Sequence, residues 1–254
     1  MSASAVRIPR PRVESVRRRA PEQISLNDYA VASGGAELID LLQCIPGYEL
    51  RYSIPFQLGA TAADAVFAPD RNAGVNWAAY QIDVRWHSLP SPHRHLEARA
   101  QMEYSSPTRA RFHVETRSGG LVIVLGKIHY FRVRNSAGAT PPSQPEEGGH
   151  APLEGRYSPD LLRLLMNPVA GGAEPLGRRI HPAGSVPLAA AIFQAKRRMP
   201  DRRIIAATME YRKPFSTSRG FVAATRLAED GRVVVTLADP GGILLAKSAF
   251  RFEN

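Results

Sequence analysis

The chain writes nearly the same β-strand twice. "GLVIVLGKIHYFRV" runs from Gly120 to Val133, and "GILLAKSAFRF" runs from Gly242 to Phe252. Each begins on the second glycine of a pair. Each carries a small residue and then a lysine (Gly126-Lys127, Ala246-Lys247), with an aromatic three positions on, Tyr130 or Phe250. A self-similar segment in each half of a chain points to one supersecondary unit built twice. A length of 254 residues allows two fused units of about 100–130 residues each.

The surrounding order strengthens the repeat. In the second half, "RIIAATMEY" has the β-branched and aromatic content of a strand, and Pro214 breaks the pattern just beyond it. Next come "FVAATRLAED", a hairpin signal at Asp230-Gly231, "RVVVTLADPGG" and the closing strand. The first half runs "WAAYQIDVRWHSLPSP", "HLEARAQMEYSSP", "ARFHVETRSGG" and then its copy of the strand. Both halves therefore read as a long strand, a Pro-marked break and a three-stranded antiparallel meander. Spacings differ by a few residues, as in a diverged repeat.

A helix is predicted ahead of each meander. "SVPLAAAIFQAKRRMP" starts at Ser185, a good N-cap, and has Pro187 in its first turn. Lys196, Arg197 and Arg198 suit the negative end of the dipole, and Pro200 stops it. Its alanine-rich, nearly uncharged body implies burial on almost all sides. In the first half, either "GGAELIDLLQCIPG" is the central helix with an insertion after it, or "TAADAVFA" is. The former is preferred.

A short buried helix wrapped by an antiparallel sheet is the hot-dog arrangement, so the expected fold is α+β, a double hot-dog. Its parts are a disordered basic tail at 1–24, unit 1 at 25–134, a Pro/Gly/Ser linker at 135–157 and unit 2 at 158–254. The tail carries six arginines against two glutamates within residues 1–23, which supplies part of the net charge of +10. No apolar run approaches the about 20 residues that span a bilayer, and no secretory signal is present, so a cytoplasmic protein without membrane contact is expected. The single cysteine, Cys44, sits among Leu41, Leu42 and Ile45 as core filler, and it excludes an intramolecular disulfide. The His87, His93 and His95 cluster has no accompanying carboxylate motif, so no metal and no cofactor are expected.

In hot-dog proteins an acyl thioester lies between paired units, with its carbonyl at the N-terminus of a buried helix, where free N–H groups favour developing negative charge. Here that place reads "RRIHPAGSVPLAAAIFQAKRR". His181-Pro182 followed by Val186-Pro187 resembles the second-repeat signature of the A-factor synthase (gamma-butyrolactone biosynthesis) hot-dog family, and "YSPDLLRLLMN" is similar to the segment after that family's first repeat. More distantly the pattern resembles polyketide dehydratases. The resemblance implies transfer of a β-ketoacyl group to a small phosphorylated alcohol, in specialised (polyketide- or fatty-acyl-derived) metabolism. The wider class implies dehydration or thioester hydrolysis. The sequence departs from the family at Gly184-Ser185, where Asp-His stands in the relatives, and at Phe193, in place of a glutamate.

Histidine titrates near neutral pH without tuning, so His181 is the expected general base. The resemblance makes Glu37 or Asp40 the second acid. Ser185, Val186 and Gln194 are expected to contact substrate. Lys196, Arg197, Arg198, Arg202 and Arg203 form a basic patch suited to an acidic acyl carrier protein or to coenzyme A phosphates. No motif for specific nucleic-acid recognition accompanies it. The chain is expected to work as a monomer or homodimer. The expected function is an acyl-thioester dehydratase, acyltransferase or thioesterase. The alternative is a non-catalytic acyl- or partner-binding module, since glycine and phenylalanine cannot run acid–base chemistry.

Overall fold

Alternation of apolar and polar residues builds the strands of the first meander. Leu96, Ala98, Ala100 and Met102 are buried, while Glu97, Arg99, Gln101 and Glu103 face outward. The computed structural model describes residues 12–17, 29–33, 50–67, 70, 75–90, 95–133, 155–157, 185–213, 215 and 221–253. Among them are β1 (Arg12–Arg17), β2 (Tyr29–Ser33), α1 (Leu50–Val66), β3 (Asn76–Trp86), β4 (Leu96–Ser105), β5 (Arg109–Ser118) and β6 (Leu121–Val133). They continue with β7 (Gly155–Tyr157), α2 (Ser185–Arg198), β8 (Ile204–Tyr211), β9 (Phe221–Leu227), β10 (Val233–Ala238) and β11 (Leu244–Phe252).

The strands form one 11-stranded antiparallel sheet in the order β1-β2-β4-β5-β6-β3-β8-β11-β10-β9-β7. β3 and β8 pair at its centre, from Gln81 opposite Glu210 to Arg85 opposite Ala206. Outward from that pair, one half reads β3-β6-β5-β4 and the other β8-β11-β10-β9. Each is a long strand followed by a meander whose last strand returns to pair with it. The repeated strands β6 and β11 thus hold mirrored places. Even their lysines correspond, with Lys127 opposite Asp83 on β3 and Lys247 opposite Glu210 on β8.

Turn chemistry sets these registers. Gly119 and Gly120 both have positive φ (58° and 84°) and form a two-residue hairpin between Ser118 and Leu121. In the other half Asp230 accepts a bond from the Arg232 N–H, and Gly231 takes a φ of 78°. The outer face between these turns is polar. Glu103 draws in Arg111, His113 and Lys127, and His129 pairs with Asp83 at 3.3 Å. Burial lowers the His129 pKa against the pull of Asp83.

The inner face carries both helices. α1 packs on β2, β4, β5 and β6, α2 packs on β9, β10 and β11, and the two helices touch. A single core joins them, with Phe56, Leu58, Phe67, Leu188, Ile192 and Phe250 almost wholly enclosed. Tyr52 ties the halves together. Its carbonyl accepts the Trp86 indole N–H at 2.9 Å, and its hydroxyl accepts the Ile204 N–H at 3.4 Å.

α2 occupies the span expected for it. The first-half helix does not: the preferred segment at 34–47 lies outside the described residues, and the helix packed on the meander is Leu50–Val66, which contains the start of "TAADAVFA". The supposed insertion is largely the helix itself. Pro55 and Gly59 disguise it, since both disfavour a helix interior. Burial against the sheet outweighs that preference, and the Thr116 hydroxyl donates to the Pro55 carbonyl at 2.7 Å. Two strands fall in segments expected to carry none. Arg12–Arg17, within the expected tail, pairs with β2, and Gly155–Tyr157, at the end of the expected linker, pairs with β9.

Candidate functional site

α2 begins where its sequence places a cap and a proline. From Pro187 to Ile192 it is buried without a break, and Leu188 through Ile192 have no solvent exposure. The first turn of any α-helix leaves its N–H groups without intrahelical acceptors. Pro187 has none to offer, so Ser185, Val186 and Leu188 supply the donors, with the positive end of the dipole behind them.

A short turn after Arg198 leads into β8, and an aromatic group gathers beyond the last residue of that strand, Tyr211. Tyr211 meets Phe215 at 6.5 Å between ring centroids, and Phe215 meets Phe221 at 5.3 Å, both edge to face. Backbone bonds from the Arg212 and Lys213 N–H groups to the Leu245 carbonyl close this corner. Burial raises the Tyr211 pKa far above the ordinary phenol, so the hydroxyl stays protonated and can donate. Tyr211 was missed in the sequence; its signal is a terminal strand aromatic followed by "RKPF".

The expected site residues separate. His181, Glu37 and Asp40 lie outside the described residues, and Ser185 and Val186 form the start of α2. Gln194 is buried, but it stands about 14 Å further along the helix axis from Ser185, where Arg197 reaches its side-chain oxygen at 3.5 Å. The structure therefore does not bring Gln194 to the helix start.

The basic group divides as well. Lys196 donates to the carbonyls of Pro200 (2.6 Å) and Arg202 (2.8 Å), closing the end of α2. Arg203 grips Glu253 through two bonds (2.9 and 2.8 Å) and donates to the His87 carbonyl at 2.8 Å, which joins the two halves at one edge. Of the five basic residues expected to meet a carrier protein or coenzyme A phosphates, these two therefore have bonds within the fold. The Arg198 and Arg202 guanidinium groups remain exposed, without partners among the described residues, at the end of α2 away from its first turn.

α1 carries in its body the tripeptide Ser53-Ile54-Pro55, which is like the Ser185-Val186-Pro187 that opens α2, a likeness legible in the sequence and missed there. The fit of α1 to the sheet is close. A Cβ on Gly59 would lie 1.9 Å from Val114 Cγ1, and one on Gly126 would lie 2.8 Å from the Phe56 ring and 3.0 Å from the Asp83 carbonyl. That approach explains the small residue in the repeated strand. Polar groups around α1 are less well satisfied. Gln57 Oε1, Arg51 Nε and Ser118 Oγ are buried without hydrogen-bond partners. Each such group costs on the order of 1–3 kcal/mol when nothing meets it.

No known family profile matches the chain, and no curated protein does. Solved structures do. The chain is similar to HtdX of Mycobacterium tuberculosis, with a TM-score of 0.59 and 13% identity over 96% of this chain and 100% of that one. It is similar to an acyl-ACP thioesterase from Bacteroides thetaiotaomicron, with a TM-score of 0.53 and 11% identity over 77% and 84%. The 12:0-ACP thioesterase of Umbellularia californica gives 0.52 and 10%, over 96% of each chain. The likeness is one of fold: a large antiparallel sheet against few buried helices, the hot-dog arrangement.

Proposed function

We propose that the chain is a fused pair of hot-dog units that acts on an acyl thioester carried by an acyl carrier protein or coenzyme A. The boundaries expected from the sequence, with unit 1 ending at 134 and unit 2 starting at 158, apply with the strand corrections above. The observation that carries this reading is the start of α2, whose first-turn N–H groups have no acceptor within the helix and lead into a stretch with no solvent exposure from Leu188 to Ile192. A polarised carbonyl needs such a place, because fixed donors in a water-poor site stabilise an oxyanion without reorganising. Two of the similar structures are acyl-ACP thioesterases, which supports the same substrate class.

The chemistry follows from those donors. The thioester oxygen takes the N–H groups of Ser185, Val186 and Leu188. His181 removes the proton from an attacking water or alcohol as the new C–O bond forms, and the thiolate leaves with that proton as the C–S bond breaks. Glu37 or Asp40 is the second acid. With a 3-hydroxyacyl substrate the same base takes the α-proton as the α,β double bond forms, and the β-hydroxyl leaves as water with a proton from that second acid. The A-factor synthase resemblance makes the acceptor a small phosphorylated alcohol and the setting specialised metabolism.

The second reading, a non-catalytic acyl- or partner-binding module, is favoured by Gly184-Ser185 where the resembling family has Asp-His and by Phe193 in place of its glutamate. One experiment separates them. Acyl, β-ketoacyl and 3-hydroxyacyl thioesters of coenzyme A and of a carrier protein are incubated with the protein and followed by mass spectrometry. Loss of at least one thioester in protein-dependent fashion is expected. Tight binding with every thioester intact supports the module instead.

A further inference from the structure

We infer that the outer face of the sheet, where Arg85 and Arg251 stand on either side of Ala206, docks an acidic amphipathic helix of another protein. The pairing registers fix this arrangement. Ala206 on β8 lies opposite Arg85 on β3 and opposite Arg251 on β11. Residues directly opposite in an antiparallel pair share a face. Their strand neighbours Val84, Trp86, Ala207, Phe250 and Phe252 are buried in the core, so all three point outward. In the next row Thr208 lies opposite Ala249, and Val234 on β10 sets Arg226 beside them. The result is a floor of small side chains rimmed by three exposed arginines, with the half-buried Leu125 next to Arg85.

The rim has no counter-charge of its own. Arg85, Arg226 and Arg251 have no ion-pair or hydrogen-bond partner among the described residues. The nearby carboxylates are engaged: Asp83 with His129 at 3.3 Å, Glu210 with Arg212 at 2.6 Å, Glu253 with Arg203 at 2.8 Å and Asp230 with Arg232 at 2.6 Å. A second copy of the chain, bringing the same face, would add to this charge rather than balance it. The balancing charge belongs to a different molecule. The rim is also set in advance: Arg203 holds both Glu253 and the His87 carbonyl, which ties the ends of β3, β8 and β11 together.

Floor and spacing select a protein helix. Arg85 and Arg251 are two strands apart, about 10 Å, and residues seven apart on a helix are separated by a rise of about 10.5 Å. Acidic side chains at that spacing reach both guanidinium groups, while small apolar residues between them rest on Ala206 and Ala249. Arginine beside small apolar surface is the make-up of a protein interface. A single-stranded nucleic acid would use rings to stack on, and the exposed aromatics lie elsewhere, Tyr104 on β4 and Phe131 opposite Ala78 at the other end of β3. Both helices pack on the inner face, so this docking stands whether or not a thioester is turned over.

NMR titration of the full chain with a capped synthetic helix tests this, with glutamates set at that spacing and alanines between them on the same side. The Nε–H signals of Arg85 and Arg251 are expected to shift, and added salt should weaken the binding. Arg85→Gln and Arg251→Gln should each weaken it about three- to fivefold, and together about tenfold, with melting temperatures unchanged. Arg109→Gln, another exposed arginine on the outer face, opposite Phe131, should have no effect. A peptide that fails to bind, or that loses as much affinity on Arg109→Gln, overturns the inference. So does tighter binding of a thymidine oligonucleotide through the same two arginines, which would assign the face to nucleic acid.

Discussion

Gly59→Ala is expected to destabilise the protein by about 1–3 kcal/mol, the usual cost of overpacking, which is a fall of roughly 2–12 °C in melting temperature for a chain of this size. The direction is informative because alanine is the better helix former by about 1 kcal/mol. At an ordinary helical position the substitution would stabilise. Here the added methyl would stand 1.9 Å from Val114 Cγ1 and 3.3 Å from its Cβ. Valine is stiff about χ1 and Val114 is fully buried, so the side chain cannot rotate out of the way. The remedy is specific. In a Val114→Ala background the same substitution should cost little, giving a coupling of at least about 1 kcal/mol in a double-mutant cycle. Thermal or urea unfolding of the four proteins measures it. Additive losses would mean that α1 does not press on β5 at this point.

The same contact shows why half of the helical layer was hard to read. α2 announces itself through Ser185, Pro187, its terminal basic residues and Pro200. α1 carries Pro55 and Gly59 in its body, and Gly59 is needed by the sheet beneath rather than by the helix. Only the Ser53-Ile54-Pro55 echo of Ser185-Val186-Pro187 marks it locally. The meanders were legible because alternation and glycine turns are local signals, and so was the mirrored placing of β6 and β11. The arginine content of "RVESVR" masked β1, whose strand depends on pairing with Tyr29–Ser33. The roles of Arg203 and Lys196 were hidden for another reason. Glu253 and His87 reach Arg203 only through the fold, and the carbonyls at Pro200 and Arg202 turn toward Lys196 only once the helix ends. Composition shows a basic cluster; pairing decides which of its charges are free.

The second large effect concerns catalysis. His181→Ala is expected to reduce thioester turnover by about 10²–10⁴-fold, the range that a positioned general base contributes. Binding of the same thioester should stay within a few-fold, because in the proposed mechanism the carbonyl is held by backbone donors of α2 that the substitution leaves in place. His181→Asn keeps a hydrogen bond but not a proton acceptor near neutral pH, and should be equally slow. Stopped assays on the best thioester, with separate equilibrium binding, give both quantities. Turnover unchanged in His181→Ala would remove this residue from the mechanism while leaving the carbonyl site itself untouched.

That carbonyl site is most directly tested by a crystal structure with an unreactive coenzyme A analogue, the thioester sulfur replaced by methylene and the carbonyl retained. The carbonyl oxygen is predicted to lie about 2.7–3.2 Å from backbone N–H groups at the start of α2, with the acyl chain running past Tyr211 and Phe215. An analogue bound on the outer face of the sheet, or a first turn of α2 whose donors meet no part of the ligand, would contradict the account.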